Sequence, residues 1–363
     1  MTDTLRLPRR RGVLALLASL PVAARSGNTH AAPAAGAPIG PTTIDAATVL
    51  VGGPDGGPLD RWGRVVQPAL AQALPPETAL TRASVGGPDG VTAANRFATR
   101  GDPDGRTVLL APGDAAIAWL VGDPRAKYDL GRWTSVMVCL TPGVLMVRPG
   151  ALKGKQPVRI GVPALASTTL AGVMALELLG AAAEPVIGLP ATGRSAPTGA
   201  PLNLAAAFGA GTVDAVLARG HHVDEQVRVL IQAGARPLLA LGGRTETGQL
   251  TRDEAFPTVP ILTEMTSTTG PMLDAFHAAA IAARLEFALV LPQLTPAGRV
   301  ALWRQAAHEA TGALDVQALA LLLGARPMGG AEASANAGAV AASQPALLAL
   351  RRWLGTRYHW KPA

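Results

Sequence analysis

Short apolar runs rich in β-branched residues alternate along this chain with Gly/Pro loops and with segments of helical periodicity, an alternation that leaves few folds open. Residues 47–51 form the first such run, and the loop 52–58 follows it. Residues 59–74 then place Leu59, Trp62, Val65, Val66, Leu70 and Leu74 at helical spacing. Asp60 falls in the first turn of that helix, where a carboxylate complements the helix dipole. A second unit runs from strand 78–83 through loop 84–90 to helix 91–98. After the turn Asp102-Pro103-Asp104-Gly105, a third runs from strand 107–111 through Pro112-Gly113-Asp114 to helix 115–121. The pattern resumes with strands 144–147 and 158–162, loop 163–167 and helix 168–179. Strand 185–189, helix 201–208, strand 213–218, helix 224–233 and strand 237–241 come next. Strand 287–291, a proline-started helix 296–309 and helices 316–323 and 346–354 complete it. Strands and helices in this order predict an α/β fold of doubly wound, mostly parallel sheets flanked by helices.

At 363 residues the chain is long enough for two domains of ordinary size. Hydrophobic residues make up 48% and charged residues 16%, enough to build real cores. Aromatics are only 4%, so Ala, Leu and Val carry that burial. The formal net charge is +7, of which the first 24 residues, with four arginines and Asp3, carry three; the mild positive balance of the remainder would suit an anionic small ligand. Its basic residues are scattered rather than clustered with aromatics, so no nucleic-acid partner is expected.

The first residues read as an export signal. Arg6, Arg9, Arg10 and Arg11 form a basic start, and residues 12–24 an apolar run too short to span a bilayer comfortably. Small residues suited to cleavage follow at 22–24 and again at 29–31. Arg10-Arg11-Gly12-Val13-Leu14 also resembles a twin-arginine signal. Residues 1–31 are therefore expected to hold the signal and the start of a flexible lead-in that ends near residue 45, with the mature protein in the periplasm. Cys139 is the only cysteine. It excludes an intrachain disulfide, and its place in the apolar run 136–140 predicts a buried structural thiol.

Catalytic signatures are missing from the sequence: no nucleophile elbow, no zinc-protease pair of histidines, no phosphate-binding loop of the right spacing. No enzymatic activity, cofactor or metal is expected. His221-His222 reads as a solvated loop pair, and His277 and His308 as single structural or exposed histidines.

In sheets of this kind ligands sit beyond the carboxyl ends of the strands. The Gly-rich loops all fall there, where glycines admit close backbone approach and helix N-termini present free N–H groups to anions. Four strings carry more specific information: residues 52–66 (GGPDGGPLDRWGRVV), 85–90 (VGGPDG), 102–113 (DPDGRTVLLAPG) and 259–265 (VPILTEM). Residues 289–300 (LVLPQLTPAGRV) add a fifth. In content and order they resemble the solute receptors of tripartite tricarboxylate transporters, the TctC or Bug-like family, over roughly residues 46 to 330.

The resemblance implies a two-lobed periplasmic receptor, here with residues 46–146 and 288–363 in one lobe and 147–287 in the other. The chain would cross between lobes near 144–149 and 287–292. It implies capture of a mono-, di- or tricarboxylate in the interlobe cleft by a monomer, and delivery to membrane permease subunits. A ligand-sensing partner of a membrane signalling receptor is the alternative role. Carried over by position, Pro54, Asp55, Gly56 and Gly57 form the first ligand loop and Asp60 its helix start. Gly86 and Gly87 form the second loop, and Gly113 and Asp114 stand at a third. Pro163, Ala164, Ser167, Thr168 and Thr169 form the anion loop of the other lobe. The departures are at Gly53, where relatives carry an aromatic, at 164–166, which replaces Asn-Gly-Thr, and at Ala191-Thr192, which replaces Tyr-Lys. Arg219 stands in place of Asp or Asn. It would pair either with a ligand carboxylate or with Asp114.

Overall fold

The structure is a computed structural model that describes residues 44–188 and 204–361. The expected export signal, most of the lead-in and Ala191-Thr192 lie outside the described residues. Among the described residues no helix is long and apolar enough to cross a membrane.

The first part of the chain is three strand–helix units and a further strand. They are β1 (Ala46–Gly52), α1 (Pro58–Ala73), β2 (Ala79–Val85), α2 (Val91–Arg100), β3 (Thr107–Ala111), α3 (Gly113–Val121) and β4 (Trp133–Leu140). Then come β5 (Gly143–Val147), β6 (Val158–Val162), α4 (Leu170–Leu178), β7 (Ala183–Ile187), α5 (Leu204–Gly209), β8 (Ala215–Arg219), α6 (Val223–Gln232) and β9 (Arg236–Ala240). A small hairpin, β10 (Gly243–Arg244) and β11 (Leu250–Thr251), leads to α7 (Pro271–Arg284) and β12 (Leu285–Pro292). The chain ends with α8 (Ala297–Thr311), α9 (Leu314–Leu323), β13 (Arg326–Gly329), α10 (Gly330–Val340) and α11 (Gln344–Tyr358).

The strands form two large sheets, ordered β13-β4-β12-β3-β1-β2 and β7-β6-β8-β5-β9. This is the two-sheet α/β architecture expected from the sequence, with one correction: the sheets are mixed rather than mostly parallel. Parallel pairing joins β2, β1 and β3 in one sheet and β7, β6 and β8 in the other, where helical crossovers connect the strands. β12 runs antiparallel to β3 and β4, β13 to β4, and β5 to β8 and β9. An apolar run encodes a strand but not its direction, which here depends on a return from far along the chain.

The first passage between sheets is at Thr141 and Pro142, ahead of the stretch expected from the sequence, because residues 143–147 are themselves β5 of the second sheet. The return lies between β9 and β12, and β12 belongs wholly to the first sheet.

Both faces of the first sheet are covered, so β1 carries consecutive buried residues Val49, Leu50 and Val51. One face packs Val49, Val51 and Leu110 against Trp62 and Val66 of α1, Trp303 of α8 and Leu323 of α9. Trp62 meets Phe287 edge-on at 5.2 Å. Cys139 is fully buried and burial pushes its thiol well above the ordinary range, as expected for a structural thiol.

The other face shares a single core with the second sheet. Helix α7 makes that continuity. It packs on α3 from the first sheet, on α4 from the second, and on α10 and α11. Its alanines at 275, 278, 279, 280, 282 and 283 are all buried and let these neighbours approach closely.

Candidate functional site

At the carboxyl ends of β1, β2 and β3 the backbone is packed so tightly that glycine is required. A Cβ on Gly90, whose φ is +71°, would lie 2.5 Å from the Pro112 ring, and one on Gly52 would lie 2.9 Å from it. The three loops that follow these strands therefore start from one point.

The first loop turns on a hydrogen bond from the Gly57 N–H to the Pro54 carbonyl at 3.1 Å. Pro54, Asp55 and Gly56 are exposed and Gly57 half-buried. Asp60 is fully buried at the base of this loop. Its carboxylate accepts from the Gly56 N–H at 3.0 Å, Ser84 Oγ at 2.9 Å and Arg64 Nε at 2.9 Å, and pairs with Arg82. It fixes the loop to α1 and β2. Asp55 pairs with Arg64 at 3.1 Å on the surface. In the second loop Gly86 is exposed and Gly87 half-buried, and Asp89 caps the Val91 N–H at 3.2 Å. Gly113 is buried. A Cβ there would come within 2.8 Å of the Leu285 carbonyl, so it is a close-packing position against the α7–β12 junction. Asp114 is half-buried in the first turn of α3.

In the second sheet, the loop after β6 brings its hydroxyls together. Ser167 Oγ donates to the Ala164 carbonyl at 2.6 Å and shares a hydrogen bond with Thr169 Oγ1 at 2.7 Å. Ser167, Thr168 and Thr169 are buried, Pro163 is half-buried and Ala164 exposed. α4 begins at Leu170, two residues later than the sequence periodicity indicates, because these three residues form the turn that leads into it. Arg219, the last residue of β8, donates to Thr168 Oγ1 and, at 3.0 Å, to the Ala283 carbonyl in the last turn of α7. The cation is thereby placed beside the anion loop.

Three residues that the sequence reading did not assign to the site join the two sheets. Glu286 Oε1 accepts from Trp62 Nε1 of α1 at 3.0 Å and lies 2.8 Å from His221 Nε2, in the loop after β8. Gln226 fixes that loop by donating to the carbonyls of His221 at 2.7 Å and Arg219 at 3.2 Å. The expected solvated pair is thus corrected for His221, which is half-buried and bonded to Glu286. His222 is exposed, in a left-handed conformation just before α6. The sequence signal for Glu286 was its place as a lone acid in the apolar run Leu285–Pro292. Trp62 read only as core.

Burial pushes the Glu286 carboxyl up, but the hydrogen bonds from His221 and Trp62, with the nearby charge of Arg219, outweigh it and hold the group below its ordinary range. A carboxyl whose folded pKa is depressed contributes stability that is present above its unfolded pKa and lost as pH falls through the folded one. Urea midpoints measured from pH 7 down to pH 3 should therefore fall with acid. Glu286→Gln should flatten that fall without abolishing it, because Asp123, Asp214 and Glu264 are also held low by arginine neighbours. An unchanged slope would remove Glu286 from this role.

No protein-family model matches the chain, and no curated protein does. Solved structures do. A TctC solute binding protein from Polaromonas, determined with no ligand, aligns with a TM-score of 0.58 at 18% identity, covering 81% of this chain and 96% of that one. Weaker likenesses include the periplasmic binding protein BugD, with a TM-score of 0.47 at 14% identity, covering 86% of this chain and 97% of that one. MatC from Rhodopseudomonas palustris with bound malate has a TM-score of 0.48 at 19% identity, covering 85% of this chain and 98% of that one. At such identities the first likeness establishes the fold. This chain has the fold of a solute-binding protein.

Proposed function

We propose that the chain is an exported receptor that captures a small organic carboxylate where the loops of the two sheets meet, and delivers it to a membrane permease of the tripartite tricarboxylate type. The observation that carries this reading is the placement of Arg219 against the hydroxyl-lined loop after β6, on a fold shared with a solute-binding protein. Backbone N–H groups of loop residues 164–169, which follow Pro163, and the Arg219 guanidinium would hold the carboxylate, while Pro54, Asp55, Gly56 and Gly57 cover it. Gly86, Gly87 and Asp114 complete the rim. Asp60 and Gly113 act behind it, as packing and loop anchors. No cofactor or metal enters this reading, and the working form is a monomer in the periplasm.

Because α7 packs on both α3 and α4, wide opening of the lobes would tear a shared core. Capture is therefore proposed to rely on loop movement more than on a large hinge.

A thermal-shift screen of the mature protein against mono-, di- and tricarboxylates tests the reading. A ligand at a hundred times its dissociation constant stabilises the native state by about 2.7 kcal/mol, enough to raise the melting temperature by several degrees. A panel that moves it nowhere would contradict a carboxylate receptor.

A further inference from the structure

A second cavity lies on the first sheet and reaches Pro112 at the base of the third loop. Strand β13 pairs with β4 only from Leu140 back to Met137, and ends there at Gly329. The first residues of β4, Trp133, Thr134 and Ser135, keep β12 as neighbour on one side and have no strand on the other among the described residues. Directly after β13 the chain turns through Gly330 into α10, which lies over this open edge.

Ser334, Ala337 and Gly338 of α10, with Ala341 just beyond, line one side of this space, next to the helix's buried stripe of Ala333, Asn336 and Val340. Helices packed on sheets normally fill the interval with large side chains. Small ones leave a chamber of about 330 Å³, at the lower end of the range of small-ligand pockets. Its walls are mostly apolar. One charge breaks that pattern. At the rim stands Arg304 of α8, exposed, in no ion pair among the described residues.

We propose that this chamber is a second ligand site for a medium-chain aliphatic monocarboxylate. The chain fills the apolar space under α10, and the carboxylate pairs with Arg304. An apolar tail suits the walls, and a single negative head suits one cation. The chamber adjoins the mouth at Pro112 and Leu285, which pack beside Gly90 and Gly113, but it shares none of the side chains proposed to hold the solute there, and it stands whether or not that mouth binds a solute.

Octanoate titrated into the purified mature protein, with binding read by calorimetry, tests the proposal. Saturable binding is expected. Arg304→Glu should weaken it at least tenfold, and Ala337→Phe, which fills the chamber, should abolish it. Arg219→Ala should leave it unchanged. No binding to the unaltered protein would overturn the proposal, as would binding indifferent to Arg304→Glu, or binding lost with Arg219→Ala, which would move octanoate to the mouth. If Ala337→Phe does not fold, the exposed Arg304→Glu change still decides.

Discussion

Asp60→Ala is expected to destabilise the protein by about 3–5 kcal/mol, the usual consequence of removing one partner from a buried ion pair. The carboxylate is fully buried and gathers four donors: the Gly56 N–H, Ser84 Oγ, Arg64 and Arg82. Arg64 is half exposed and adds little. Arg82 is mostly covered, with 21% of its side chain exposed. Without Asp60 its charge stays in place with no counter-ion, and the first loop loses the bond that fixes Gly56. Urea unfolding should show a lower midpoint at unchanged slope. Asp60→Asn, which keeps an acceptor but not the charge, should fall between. A loss below about 1 kcal/mol for the alanine variant would mean that the pair carries no structural weight.

Arg284→Ala should cost about as much, again roughly 3–5 kcal/mol, with a different signature. Arg284 is buried at the end of α7, and burial pulls its guanidinium down from the ordinary range against the pull of Asp253. It donates to the Thr141 carbonyl at 3.0 Å and to the Gly242 carbonyl, and pairs with Asp253 at 3.0 Å. Thr141 bonds back, its N–H to the Arg284 carbonyl at 2.8 Å. Thr141 lies in the first passage between sheets and Gly242 at the start of the second, so one side chain clasps both. Its removal leaves the buried Asp253 carboxylate with the Ala255 N–H but no counter-ion, and two carbonyls without the guanidinium that bonds them. Hydrogen exchange should quicken at the amides of Thr141, Gly243 and Arg244 before the rest of the protein. Uniform protection across both passages would contradict the clasp.

The units that read clearly in the sequence are those with one buried face. α1 shows its stripe because Leu59, Trp62, Val66 and Leu70 are buried and Arg61 and Arg64 exposed. α7 shows none: Ala275–Arg284 is covered on nearly every side, apart from His277, and a helix so enclosed has no one-face period. The Ala/Gly-rich α10 and the short β13 were missed for a related reason, since neither carries enough apolar side chain to register. β4 lay in plain view as the run around Cys139, but nothing in a run of apolar residues says which strand it will join.

The site divides in the same way. Loops set by glycine were legible as Gly/Pro strings, but only Gly90 has a local reason, its φ of +71°; Gly52 makes room for Pro112, which arrives from the end of β3. Asp60 was legible as a helix-start acid, but its bonds to β2 were not, since Ser84 is 24 residues away. The bond between Glu286 and His221 spans 65 residues and depends on how the sheets meet, which no local pattern records.

The central proposal is that Arg219 and the loop after β6 hold a carboxylate. The direct measurement is isothermal titration of the mature protein with the carboxylate that stabilises it most, repeated on Arg219→Ala after its melting has been shown to be cooperative. One saturable site is expected, with affinity at least tenfold weaker in the variant, a change of about 1.4 kcal/mol or more. Equal affinity in both proteins, or no carboxylate that binds the unaltered one, would contradict it.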